Sequence, residues 1–186
     1  LKPDRENASG AWYSLGSGSE KGGYGGGLAI DQGRLYAASG FGNVVALDPV
    51  SGKMLWERQL EAPVRASPTA AGGNVYVVTL DGRFYCLAGA DGGVLWSARG
   101  LPQQASLINN ASPAVEGSVV AVPYPSGDLV ALNVADGSTA WSENLARTRT
   151  TSQISSMSDA ARPAISGGIV FAVGHAGRMI ATNAET

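Results

Sequence analysis

Apolar residues along this chain come in short runs of about four to six, cut by glycine pairs and Asp-Gly steps. The stretch after Ser67 shows the pattern most clearly. It predicts four strands, Pro68–Ala71, Val75–Thr79, Phe84–Ala88 and Val94–Ser97. Gly72-Gly73, Asp81-Gly82 and Ala90-Asp91-Gly92 supply the turns, and the runs are rich in Val, Tyr, Phe and Leu. No segment carries the 3.6-residue period of an amphipathic helix. No run approaches the ~20 apolar residues of a membrane-spanning helix, so no direct membrane span is expected.

The pattern recurs. Trp12, Trp56, Trp96 and Trp141 are spaced by 44, 40 and 45 residues. Gly42, Gly82, Gly127 and Gly177 each open a small apolar run, at spacings of 40, 45 and 50. Repeats are expected at approximately 28–60, 67–99, 112–145 and 162–186, with residues 10–15 a stray outer strand of a preceding unit. A four-stranded unit at this period predicts an all-β fold, a β-propeller of four-stranded antiparallel blades forming one partial-propeller domain over 1–186. One such sheet cannot bury both faces alone. The small residues Ala46, Cys86, Ala131 and Ala181 are expected to let neighbouring blades close up, with the tryptophans filling the wider outer gap. Successive strands reverse, so the long connections 16–27, 99–111 and 146–161 fall on one face and the tight turns on the other. Recognition is expected on the long-loop face.

Composition narrows the chemistry. Charged residues are 15% of 186, the net charge is −2, and the pI is near 5.3. That argues against a nucleic-acid partner, which wants a basic stripe. One cysteine, Cys86, excludes an internal disulfide framework, and one histidine, His175, cannot fill a zinc shell. No cofactor and no metal are expected. Asp48 is the acidic residue best placed in the repeat, and a turn before Ser51-Gly52 explains it better than catalysis does. The Gly22–Gly27 run lacks the Gly-Lys-Ser/Thr and helix of a phosphate loop. Arg147 and Arg149, with three threonines, read as a solvated loop or a protein contact. The chain starts at Leu1 with no charged-then-apolar leader, so a processed or internal segment is expected.

The stretch Ala46-Leu-Asp48-Pro-Val-Ser51-Gly52-Lys53-Met-Leu-Trp56 resembles the tryptophan-docking motif of the PQQ-type propeller repeat. Cys86–Trp96 and Ala131–Trp141 match it more loosely, and Ala181–Thr186 begins a further copy. Within that group Gly25-Gly-Gly-Leu-Ala-Ile, Gly40-Phe-Gly-Asn-Val-Val-Ala-Leu-Asp, Ala66-Ser-Pro, Ala111-Ser-Pro-Ala and Met157-Ser-Asp159 before Arg162-Pro resemble the BamB family. The resemblance implies about half of an eight-bladed ring, and a periplasmic, outer-membrane lipoprotein anchored outside this chain. It also implies a non-catalytic scaffold that contacts BamA, the barrel-inserting subunit of the assembly machinery. The contact residues it implies are Leu107, Ile108, Asn109 and Asn110 in one loop, and Met157, Ser158, Asp159 and Arg162 in the next. Ile108 stands where the family has arginine. The implied structural residues are Trp12, Trp56, Trp96, Trp141, Asp48 and Gly52. Self-association of two half-propellers is a further expectation. A quinoprotein dehydrogenase fragment and a ligand-sensing or adaptor propeller stay open as alternatives.

Overall fold

A computed structural model describes residues 26–64, 66–99, 111–124, 128–145, 161–174 and 179–185. They form fifteen strands and four antiparallel sheets. The first sheet runs β1 (Leu28–Asp31), β2 (Arg34–Ala38), β3 (Asn43–Leu47), β4 (Met54–Gln59). The second runs β5 (Thr69–Ala71), β6 (Asn74–Val78), β7 (Arg83–Ala88), β8 (Val94–Arg99). The third runs β9 (Ala114–Glu116), β10 (Val119–Pro123), β11 (Asp128–Asn133), β12 (Thr139–Asn144). The fourth has β13 (Ala164–Ser166), β14 (Ile169–Val173) and β15 (Met179–Asn183). Each strand pairs with the next in sequence, so every sheet is a meander. The first strands of successive sheets adjoin, β1 to β5, β5 to β9 and β9 to β13. The sheets therefore fan out from a shared inner edge, as propeller blades do.

Each sheet has two unlike faces. In the first, Tyr36, Ala38, Val44, Ala46 and Trp56 point one way and pack on Val75, Val77, Tyr85 and Leu87 of the second. Tyr76, Phe84, Cys86 and Trp96 then meet Val120, Val122, Tyr124 and Leu132 of the third. Val119, Ala121, Leu129, Ala131 and Trp141 meet Val170, Ala172, Ile165 and Ile180 of the fourth. One rule thus repeats three times: the tryptophan-bearing face of a sheet lies on the plain face of the next.

The outermost strand departs from simple alternation. Met54, Leu55 and Trp56 are consecutive and apolar, which a regular strand would split between two faces only in part. The register shifts opposite Ala46/Leu47, and again at Cys86/Leu87 and Ala131/Leu132. This bulge sets Met54 opposite Leu47 and Trp56 opposite Ala46, leaving Leu55 as the extra, exposed residue. The small-residue expectation needs one correction. Ala46, Cys86 and Ala131 are fully buried, but Ala181 is exposed, because no further sheet covers its face among the described residues.

Candidate partner-binding face

Two ends of the sheet stack differ in how they are built. At one end lie the tight turns, Gln32-Gly33, Gly72-Gly73, Gly117-Ser118 and Gly167-Gly168, and the turns leading to the tryptophans. Carboxylates there tie sheets together. Asp31 Oδ2 accepts the Gly73 N–H at 2.8 Å, and Glu116 Oε1 accepts the Gly168 N–H at 3.1 Å.

The tryptophans meet this end in one way. Trp56 Nε1 donates to the Gly89 carbonyl of the next sheet at 2.9 Å. Trp96 Nε1 donates to Val134 at 2.8 Å, and Trp141 Nε1 to Ala184 at 2.9 Å. Gly89, Val134 and Ala184 hold the same place in their repeats. The Tyr36 hydroxyl donates to the Gly89 carbonyl as well, at 3.3 Å. Trp56 is buried, while Trp96 and Trp141 are partly buried. Trp12 lies outside the described residues.

Asp48 and Gly52 shape the equivalent turn in the first sheet. Asp48 Oδ1 accepts from the Val50 and Ser51 N–H groups at 3.0 and 2.6 Å and from the Ser51 hydroxyl at 2.8 Å. Those bonds, chiefly from Ser51, hold its pKa below the ordinary 3.8. Gly52 adopts φ 68°, the left-handed region. Sequence reasoning missed that the later copies keep the device on another residue. Asp91 Oδ1 accepts from the Gly93 N–H, and Asp136 Oδ1 from Ser138, three positions beyond the Asp48 equivalent. A depressed carboxylate stabilises the fold above its unfolded pKa and loses that effect as pH falls through the folded one. The melting-temperature gap between wild type and Asp48→Ala should therefore narrow below about pH 3.8. Thermal melts from pH 6 to pH 2 check this, and a gap that stays constant would remove the carboxylate's charge from the account.

The opposite end carries the long connections. Several residues at this end are buried, Leu60, Val64 and Ala66 between the first two sheets and Ser112 and Leu145 beside the long connections. The Leu60 N–H donates to the Gly42 carbonyl, Leu80 to Pro63, and Ala161 to Val173. Arg83 reaches Glu61 at 2.8 Å and Asp81 at 3.3 Å on this face. That exposed triad was not anticipated, since neither repeat position nor spacing marks it. Water and salt screen such exposed pairs, so they add little to stability. Residues 100–110 and 146–160 leave from this end, after Arg99 and Leu145, and return at Ala111 and Ala161. Leu107, Ile108, Asn109, Asn110, Met157, Ser158 and Asp159 thus lie outside the described residues, as do His175, Arg147 and Arg149. Arg162 is described and exposed, at the entry to β13. No group of three or more His, Cys, Asp or Glu side chains is arranged to hold a metal among the described residues.

Cys86 sits between the second and third sheets, and burial pushes its thiol up to about 11. A thiol reagent at pH 8 should leave the folded chain unlabelled and label one site per chain in denaturant. Fast labelling without denaturant would place Cys86 at an opening interface.

The family model described as outer membrane protein assembly factor BamB matches residues 4–186. The chain belongs to the BamB family. The outer membrane protein assembly factor BamB of Nitrosomonas eutropha is 25% identical over 154 residues, covering 82% of this chain and 37% of that protein. This BamB-family chain thus spans well under half the length of that relative. The dehydrogenase subunit of a quinone alcohol dehydrogenase from Gluconacetobacter polyoxogenes is 31% identical over 119 residues, 58% of this chain and 16% of that one. Among solved structures, BamB from Moraxella catarrhalis superposes with TM-score 0.77 at 21% identity, over 86% of this chain and 49% of that chain. The computationally designed protein Ika4 superposes with TM-score 0.69 at 14% identity, over 89% of this chain and 93% of that one. Both share the fold.

Proposed function

We propose that this chain is a non-catalytic, protein-binding scaffold of outer-membrane protein assembly, periplasmic and held at the outer membrane by a lipid outside the sequence described. Its partner on this reading is the periplasmic part of a BamA-like protein. One observation carries the proposal beyond family membership. Two long connections, 100–110 and 146–160, leave from the same end of adjacent sheets, with the buried Ser112 and Leu145 beside them. Adjacent loops on a packed sheet stack are how a scaffold presents a recognition surface. The predicted contacts are Leu107, Ile108, Asn109 and Asn110 on the first loop, and Met157, Ser158, Asp159 and Arg162 on and beside the second.

The test is binding of purified BamA periplasmic domains. Reversing both charges, Asp159→Lys with Arg162→Glu, should weaken it about tenfold, the loss of roughly 1.4 kcal/mol. Circular dichroism should stay unchanged, because Arg162 is exposed. Unaltered affinity would take this loop out of the interface.

The dehydrogenase match supports a second reading, a piece of a quinone-dependent enzyme. Such an enzyme needs an acidic base and calcium ligands near the cofactor. Saturable binding of pyrroloquinoline quinone in the presence of calcium would favour it over the scaffold.

A further inference from the structure

The joints between sheets share the tryptophan dock but differ in what supports it. Between the first and second sheets, three further side chains reach across. The Tyr36 hydroxyl donates to the Gly89 carbonyl at 3.3 Å, Arg58 Nε donates to the Gly92 carbonyl at 2.8 Å, and Asp31 Oδ2 accepts the Gly73 N–H at 2.8 Å. By strand register the equivalent positions on the second sheet are Tyr76, Ala98 and Ala71. Ala98 and Ala71 have no polar side-chain atom with which to reach the third sheet. Tyr76 has one and leaves it unused. Its hydroxyl is buried and makes no hydrogen bond among the described residues, although Asn74 and Cys86 stand beside it. This face is also bulkier than its counterpart. Phe84 and Cys86 stand where the first sheet has Val44 and Ala46, and the Tyr76 ring stacks on Phe84 at 6.1 Å. A buried hydroxyl without a partner has given up its water bonds for nothing, so it favours an open joint over a closed one.

We propose that the stack opens between the second and third sheets before it opens between the first and second, and that this opening uncovers Cys86 and lets water reach the Tyr76 hydroxyl. The joint keeps the Trp96 bond to the Val134 carbonyl at 2.8 Å and the Thr69 hydroxyl bond to the Pro113 carbonyl at 2.6 Å, with apolar packing between. Its indole is only partly buried, whereas that of Trp56 is 8% exposed. The same residue type thus acts with opposite sign in the two joints: Tyr36 gains a bond on closing, and Tyr76 loses its water. The covalent connections point the same way. Residues 60–68 join the first two sheets and are pinned to the second, Val64 by its bridge to Thr79 and Pro63 by the Leu80 N–H. The run from Arg99 to Ala114 that joins the second and third sheets is longer. Openings of this local kind cost less than global unfolding and are rare in water, which keeps Cys86 protected there. The inference concerns contacts between sheets inside the chain, so it is independent of the BamA reading.

Cys86 reports the opening, because its thiol is fully buried in this joint. Its labelling is timed on the full chain in urea below the unfolding transition, where opening is frequent enough to read. The rate should rise with urea less steeply than global unfolding does, since one joint exposes less surface than the whole chain. Tyr76→Phe keeps the ring and removes the unpaired hydroxyl, and it should slow labelling about tenfold. Tyr36→Phe should lower global stability yet leave the rate in low urea unchanged, because its bond lies in the other joint. A rate that follows global unfolding at every urea concentration would overturn the proposal. So would unchanged or faster labelling in Tyr76→Phe. Faster labelling of Tyr36→Phe in low urea would overturn it too, by placing the opening at the first joint.

Discussion

Trp56→Ala should lower the unfolding free energy by about 3–5 kcal/mol, the range for deleting a buried large aromatic. Three effects act together there. The indole is 8% exposed and packs in the cluster that joins the first and second sheets. Its Nε1 donates to the Gly89 carbonyl at 2.9 Å, and its ring lies 5.9 Å from that of Tyr36. Loss of the indole leaves a cavity between two sheets that meet only through such contacts and their inner strands. Trp56→Phe should recover part of the loss, because it keeps much of the ring but not the hydrogen bond, which is worth about 1 kcal/mol. Trp141→Ala should cost less than Trp56→Ala, since Trp141 is only partly buried and its receiving sheet has three strands among the described residues. Urea unfolding of the three variants orders them. Equal losses at Trp56 and Trp141 would show that burial does not set the energy of these docks.

The repeating part of this design is what the sequence makes visible. Gly72-Gly73 and Asp81-Gly82 bracket runs too short and too β-branched for helices, so the second sheet was readable strand by strand, within one or two residues of β5 to β8. The bulge was not, because Met54-Leu55-Trp56 is three apolar residues whether the strand is regular or kinked. Only the pairing shows that Leu55 is the extra one. Asp48 was readable as a turn-former. Asp91 and Asp136 were not read as its functional equivalents, because both stand three positions beyond the residue that aligns with Asp48. A local pattern says which residues alternate, not which face has a neighbour. Ala181 fits the same slot as Ala46 and yet is exposed, a difference set wholly by what lies beside the sheet. The loop residues Leu107 and Asp159 have no repeat register at all, and they lie outside the described residues.

The same dock makes a second demand, this time on the backbone beneath the indole. Gly92→Val should destabilise the chain by roughly 3 kcal/mol or more, summing a strained backbone and an overpacked contact. Gly92 holds φ 73°, where a β-branched side chain is a true outlier. A Cβ there would stand 2.6 Å from Trp56 Cε3, and the ring cannot retreat without giving up its bond to Gly89. The two costs can be separated. Gly92→Val in a Trp56→Ala background should cost only the backbone part, about 1–2 kcal/mol, because the indole is no longer there to collide with. A double-mutant cycle from urea unfolding reads that coupling directly. Gly72, whose φ is 61° with open space around it, supplies the control: Gly72→Val should show the backbone cost in both backgrounds. If Gly92→Val costs as much without Trp56 as with it, the glycine is there for its turn alone. The indole would then rest on a surface that tolerates a side chain, and the repeat's pairing of glycine with tryptophan would have no steric basis.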